Sequence, residues 1–195
     1  LQEYLDDGVL IMPTSFNKSN FFSSLVKMSN DELSLIEREI NNFSSFIIQL
    51  QSFNKINLNN YFNQTILSYN IHELDIIKLR KYFSIFCSML FEFGAELIFL
   101  PFKKNFKINK KDNLVYFFEK NLVPKNLEMV SVHGMSSAKM GIKKENDKVF
   151  NLQGCSFDFK NLFCLDSSIL PSSTIESPQG TIMAVASQIL EENFN

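Results

Sequence analysis

Two histidines occur in the 195 residues, His72 and His133, and the second stands in distinctive company. His133 opens the run His133-Gly134-Met135-Ser136-Ser137-Ala138-Lys139-Met140-Gly141, which is rich in small residues. Imidazole titrates near neutral pH, so a lone histidine in such a run is a candidate general base or proton-positioning group. Farther on, Asn161-Leu162-Phe163-Cys164-Leu165 reads as an apolar strand running into Asp166-Ser167-Ser168-Ile169-Leu170-Pro171. That arrangement puts a carboxylate and small residues at a strand's carboxyl end, where α/β folds bind ligands. The chain closes with Ser177-Pro178-Gln179-Gly180-Thr181-Ile182-Met183-Ala184 and a final helix. Ser177 is predicted as its N-cap and Pro178 as its first residue, and the amides that follow form a ready anion site.

The same residues hold the ingredients of a second chemistry. Ser136-Ser137-Ala138-Lys139 spells S-x-x-K, and His133, Asp166 and Ser167 are the residue types of a hydrolase triad. No KTG follows and no GxSxG elbow exists, so hydrolysis is the weaker reading.

Other chemistries are excluded by what the sequence lacks. Its six glycines (8, 94, 134, 141, 154 and 180) spell neither GxGxxG nor GxxxxGK, so the standard cradles for a dinucleotide or a nucleoside triphosphate are missing. Cys87, Cys155 and Cys164 form no CxxC, and with two histidines they do not build a zinc site of the usual spacing. No metal is expected, and reduced thiols point to a cytoplasmic setting. Nineteen basic against twenty-one acidic residues leave a net charge of −2, which gives no electrostatic footprint for nucleic acid or an anionic membrane. No apolar stretch approaches the roughly 20 residues of a membrane span. Even the segment from Phe83 to Phe102 carries Ser84, Ser88, Glu92 and Glu96. A 45% hydrophobic and 21% charged composition is that of a folded chain, long enough for one domain or two small ones. Twenty-one phenylalanines beside no tryptophan, and only Arg38 and Arg80 as arginines, are attributed to nucleotide bias.

The elements that must position these residues follow from periodicity. Val9 to Met12 is a short apolar run that predicts a strand. Ser29-Asn30-Asp31-Glu32 predicts a helix start, with Leu33, Ile36 and Ile40 at helical spacing. Ile56 and Leu58, then Ile66 to Tyr69, predict two antiparallel strands joined by residues 57–63. Ile76, Leu79, Phe83, Phe86, Leu90 and Phe93 step by 3, 4, 3, 4 and 3, one apolar stripe of a long helix over 73–94. Asp75 near its start suits the macrodipole, and Gly94 takes the left-handed position at its end. Ala95 to Phe102 predicts a buried strand, the lysine-rich segment 103–112 a solvated loop, Leu114 to Lys120 a short helix, and Val149 to Leu152 a strand.

Taken together, His133-x6-Met140-Gly141, Asn161-Leu162-Phe163-x-x-Asp166-x-Ser168-x-Leu170-Pro171 and Pro178-x-x-Thr181-Ile182-Met183-Ala184 resemble the C-terminal signature of the glucose–methanol–choline (GMC) oxidoreductases. Tyr69, Asp75, Leu79 and Gly94-Ala95 fall where that family has a helix of its substrate domain, and the resemblance covers roughly residues 45 to 195. It implies an FAD-dependent alcohol oxidase or dehydrogenase. His133 would lie beside the flavin N5 and accept or position the alcohol proton while hydride leaves the α-carbon for FAD. Ser177 would be the second catalytic residue, standing where members carry an Asn or a second His. Asp166 and Ser167 would approach the ribityl–pyrophosphate of the cofactor, and Pro178 and Gln179 its pyrimidine ring. Ser136-Ser137-Ala138 replaces the Gly-Thr-Cys of many members.

The implied fold is α+β. Residues 1–130 would belong to an antiparallel-sheet substrate (cap) domain with helices. Residues 131–195 would supply a strand and helix completing an FAD-binding α/β domain. The family's N-terminal Rossmann fingerprint is not in this sequence. The expected partners are therefore an alcohol substrate and an N-terminal FAD-binding half, in a separate subunit or, as the non-Met start favours, in the same chain. Apolar surface left exposed for that half is expected. The departure at Ser177 keeps a second reading open, a degenerate member that only binds or packs.

Overall fold

Local sequence accounts for most elements of the computed structural model, which describes residues 5–14, 30–62, 64–104, 106–131 and 133–194. The backbone divides into two units, Leu1–Gln49 and Leu50–Asn195. In the first, strand β1 (Val9–Thr14) pairs with β2 (Ser45–Leu50), and helix α1 (Asn30–Arg38) runs on into a 3-10 turn at Ile40–Asn42. Val9, Leu10 and Ile11 of β1 are buried, as are Ile36 and Ile40 at the predicted helical spacing. The Ser29 cap expected for α1 lies outside the described residues. Pro13 is tolerated because a strand in a two-stranded ladder has a free edge that needs no donor.

The second unit is organised by helix α2 (Glu73–Glu92). His72 caps it through Nδ1, which accepts the Leu74 amide at 3.1 Å. Three positions on, Asp75 is fully buried. Its Oδ2 accepts from the Ser52 hydroxyl at 2.8 Å and the Phe53 amide at 3.3 Å, and Ser52 also bonds the Tyr69 hydroxyl at 2.6 Å. Asp75 therefore ties the chain on either side of a hairpin to the helix start, a larger role than complementing a dipole.

Ile76, Leu79, Phe83 and Phe86 are buried as the stripe predicts. Its C-terminal end differs: Phe91 is buried, while Phe93 is exposed. A strict 3-4 repeat drifts about 20° per heptad against a straight helix, and Phe93 has already left the helix as its C-cap. Gly94 adopts φ +97°, with Ala95 N–H on Leu90 O (2.9 Å) and Gly94 N–H on Phe91 O (3.3 Å), the Schellman closure. Cys87 on the inner face is 1% exposed, and burial pushes its thiol pKa up to about 12.

The hairpin pairs β3 (Asn57–Tyr61) with β4 (Gln64–Ser68), antiparallel, Asn57 opposite Ser68 and Tyr61 opposite Gln64. Residues 57–61 are thus strand rather than the connection expected. Next to the Tyr61–Gln64 pair, Phe62 takes φ +45°. Uniformly polar Asn residues obscure strand alternation when neither face is buried, and every described residue of this hairpin is exposed. The strand expected over 95–102 is shorter: β5 (Leu97–Phe99) pairs antiparallel with β6 (Lys107–Asn109), inside the lysine-rich segment. Helix α3 (Leu114–Asn121), capped by Asn113, packs Phe118 against Phe83 (5.6 Å between ring centroids) and edge-on to Phe102 (6.3 Å). Arg80 clamps its end, Nε and Nη2 both donating to Leu122 O at 3.2 Å.

A parallel pair, β7 (Lys139–Met140) with β8 (Lys148–Phe150), follows, and α4 (Gln179–Phe194) closes the chain. The class is α+β, built in the described residues from four separate two-stranded ladders rather than one cap sheet. The strand expected to run through residues 161–165 into Asp166 is not formed. Asn161 takes φ +62°, and only an isolated bridge, Cys155 to Phe163, is made. Among the described residues no helix is long and apolar enough to cross a membrane.

Candidate active site

The candidate residues lie on two loops stitched together by backbone hydrogen bonds. Asp166, in extended conformation, caps the 3-10 turn Ser167–Ile169, its Oδ1 accepting the Ser168 amide at 2.8 Å. Hydrogen bonds from the Ser168 hydroxyl and amide, with a smaller contribution from the Cys164 thiol, hold this carboxyl below the usual range against a slight opposing effect of burial. Ile169 and Leu170 are buried and anchor the turn. The loop after His133 folds onto it. Ser167 Oγ donates to Gly134 O at 2.9 Å, Ser136 N–H to Ser167 O at 3.1 Å, and Ala138 N–H to Ser168 O at 3.0 Å. Wrapping around Ser167 in this way forces Ser136 to φ +63°, a left-handed conformation that side chains other than glycine rarely take.

Two polar atoms of this loop are left over. His133 Nδ1 and Ser136 Oγ are buried and have no hydrogen-bond partner among the described residues. Each such burial costs about 1–3 kcal/mol, which is unusual in a settled loop and ordinary in a site awaiting a ligand or a rearrangement.

The segment leading to α4 is drawn in from two sides. Thr174 N–H approaches Met135 Sδ at 3.4 Å, and Gln51 Nε2 donates to Ser173 O at 2.6 Å. Gln51 carried no sequence signal, because a glutamine after a strand is an ordinary surface residue until the chain folds over it. Helix α4 then begins at Gln179, with Pro178 O accepting the Ile182 amide at 2.8 Å. The helix thus opens one residue later than expected, with Pro178 rather than Ser177 at the cap position. Pro178 is buried, whereas Ser177 and Gln179 are exposed. A Cβ at Gly134 or at Gly180 would meet nothing within 4 Å, so both glycines face open space.

The structure therefore gathers His133, Ser136, Asp166 and Ser167 into one stitched pair of loops. Ser177, Pro178 and Gln179 follow it in the chain but share no hydrogen bond with it among the described residues. The hydrolase arrangement is not assembled there. Ser167 Oγ is spent on Gly134 O, and Asp166 bonds its own turn instead of His133. Lys139 of the S-x-x-K lies 3.2 Å from Asp147, which also pairs with Lys55 at 3.2 Å. These two lysines hold the Asp147 carboxyl below its ordinary range. A surface depression of about 460 Å³ between α2 and α3 is lined by Ser84, Ser88, Met89 and Leu114 and contains none of the candidate residues.

The histidine loop is folded over an Asp-x-Ser turn, with Ser167 at the join. The family model for the GMC oxidoreductase matches residues 55–186, and the chain belongs to that family as a C-terminal portion. No curated protein and no solved structure gives a significant match.

Proposed function

We propose that this chain is the C-terminal part of an FAD-dependent alcohol oxidase or dehydrogenase, acting on the CH–OH group of its donor. The observation that carries the reading is the buried Nδ1 of His133, which has no partner among the described residues, on a loop fixed by three hydrogen bonds to the Asp166 turn. FAD, when bound, supplies the hydride acceptor. The residues fit such a group. Gly134 and Gly180 leave open space, and the first amides of the sixteen-residue helix α4 have no acceptor within the helix. Those amides favour negative charge on a neighbouring ring system. Pro178 and Gln179 would border it, with Asp166 and Ser167 toward the ribityl chain. The side chains of Asp166 and Ser167 are already engaged with their own loops, which leaves backbone contact as their main contribution.

His133 takes the proton of the donor hydroxyl, a role in which a positioned imidazole contributes roughly 10²–10⁴-fold. Ser177, exposed and free of the capping duty expected of it, is available to hydrogen-bond the donor oxygen. The N-terminal FAD-binding half is the partner this reading requires. The test uses the protein in the longest form its gene encodes. It should carry a visible flavin band that bleaches when a primary alcohol is added without oxygen, and His133→Ala should abolish the bleaching while keeping the band. A colourless protein after incubation with FAD would overturn the proposal in favour of a degenerate binding module.

A further inference from the structure

The imidazole of a base must present an unprotonated nitrogen to its substrate, so the proton of the neutral ring must be held on the other nitrogen. In His133 the inner nitrogen, Nδ1, is buried, and among the described residues it has no partner. Three residues along the same loop, Ser136 Oγ is also buried and also unpartnered. The two orphans are not scattered accidents. The backbone between them is pinned to one residue, Ser167, by Gly134 O at 2.9 Å and Ser136 N–H at 3.1 Å. Ser136 is held at φ +63°, at a backbone cost of order 1–3 kcal/mol, with its Oγ buried. A glycine would avoid that cost and forgo the hydroxyl.

We infer that Ser136 is a positioning residue for His133. Its hydroxyl accepts the Nδ1 proton, by rotation of the serine side chain or across a single bound water. That bond fixes the ring as the Nδ1–H form with Nε2 unprotonated toward the donor alcohol. It satisfies both buried atoms at once, which removes two desolvation costs with one interaction. The inference rests on His133 being the base, but it concerns the proton on the ring and can be tested apart from catalysis.

These 195 residues hold only His72 and His133, so in the full protein labelled with ¹⁵N-histidine their two rings are identified as the signals lost in His72→Asn and in His133→Ala. His72 is the internal reference. Its Nδ1 accepts the Leu74 amide at 3.1 Å, so its neutral ring carries the proton on Nε2. Nitrogen chemical shifts above the titration range should show His133 as the opposite, Nδ1–H form. Ser136→Gly removes the hydroxyl and relieves the left-handed backbone, so it should fold at least as well. In it the Nδ1–H form of His133 should lose its dominance while His72 is unchanged. Ser136→Ala should give the same shift, and if it folds poorly Ser136→Gly alone decides. A wild-type His133 protonated on Nε2, or a ring indifferent to Ser136→Gly, overturns the inference. A tautomer shift in a protein that oxidises no alcohol would leave the Ser136–His133 link standing and sink the oxidoreductase proposal. Flavin bleaching with an unmoved tautomer would do the reverse.

Discussion

At the scale of single residues, the carboxylate of Asp166 is the titrating group on which the loop pair depends. Its pKa is depressed first by the hydrogen bonds from Ser168, so the folded state holds the charged form more firmly than the unfolded chain does. A depressed carboxyl contributes stability that is fully present above its unfolded value and disappears as pH falls through the folded one. Asp166→Asn keeps an acceptor oxygen for the Ser168 amide but removes the charge. Between about pH 6 and 8 this variant should therefore unfold at lower denaturant than the parent. The gap should begin to close below about pH 4 and vanish only once pH has fallen through the depressed value of the folded carboxyl. The side chain is exposed, so the difference is small. A gap that persists unchanged into acid would mean that Asp166 acts by shape and not by charge.

At the scale of elements, the docking of α4 turns on a glycine far from it in sequence. Gly154 takes φ +73°, and a Cβ there would stand 2.6 Å from Ile189 Cδ1 and 2.9 Å from its Cγ2. Ile189 is the single buried residue of α4, so Gly154→Ala strikes the helix at its most deeply set contact. Overpacking of about 1–3 kcal/mol and a left-handed alanine at about 1–2 kcal/mol should combine into a clear fall in the denaturation midpoint. Gly180→Ala, inside the same helix with nothing near its Cβ, should leave stability unchanged or raise it by up to roughly 1 kcal/mol. Equal effects of the two substitutions would show that Gly154 is not the contact that seats α4.

The elements also show where sequence sufficed. The stripe from Ile76 to Phe86, the Gly94 cap and the Leu114 helix were legible because helical period and end signals are local. The hairpin at 57–68 was half legible, since its asparagines signal a turn in sequence yet pair as strand in the fold. The failed strand before Asp166 is instructive. Leu162 to Leu165 is a continuous apolar run, but such a run makes a strand only where a neighbouring strand stands to receive it, and Cys155–Phe163 is the one bridge made there. The candidate site followed the same rule. His133 and Asp166 were marked by motif, whereas the pairing of their loops, the left-handed Ser136 and the reach of Gln51 to Ser173 are tertiary facts.

At the scale of the whole molecule, α4 carries two apolar stripes, one turned inward and one packed only at its end, where Phe194 meets Phe163. Ile182, Val185, Ala186 and Ile189 form the inward side, with Ile189 buried and the other three half-buried. Met183 and Leu190 are spaced by seven, so they line up about 100° around the helix from that side and remain 65% and 46% exposed, while Phe194, four residues on and 61% exposed, sets its ring edge-on to Phe163 at 5.0 Å between centroids. A single exposed leucine is unremarkable, but a continuous stripe is a surface that water solvates poorly. The 195-residue chain alone should therefore self-associate as its concentration rises, as sedimentation would show. Met183→Lys with Leu190→Lys should return it to the monomer. Both positions are exposed, so the denaturation midpoint should not fall, which separates loss of association from loss of fold. If the parent chain sediments as a monomer at every concentration, the stripe is satisfied as it stands, and a covering partner is no longer needed to explain why the helix bears it.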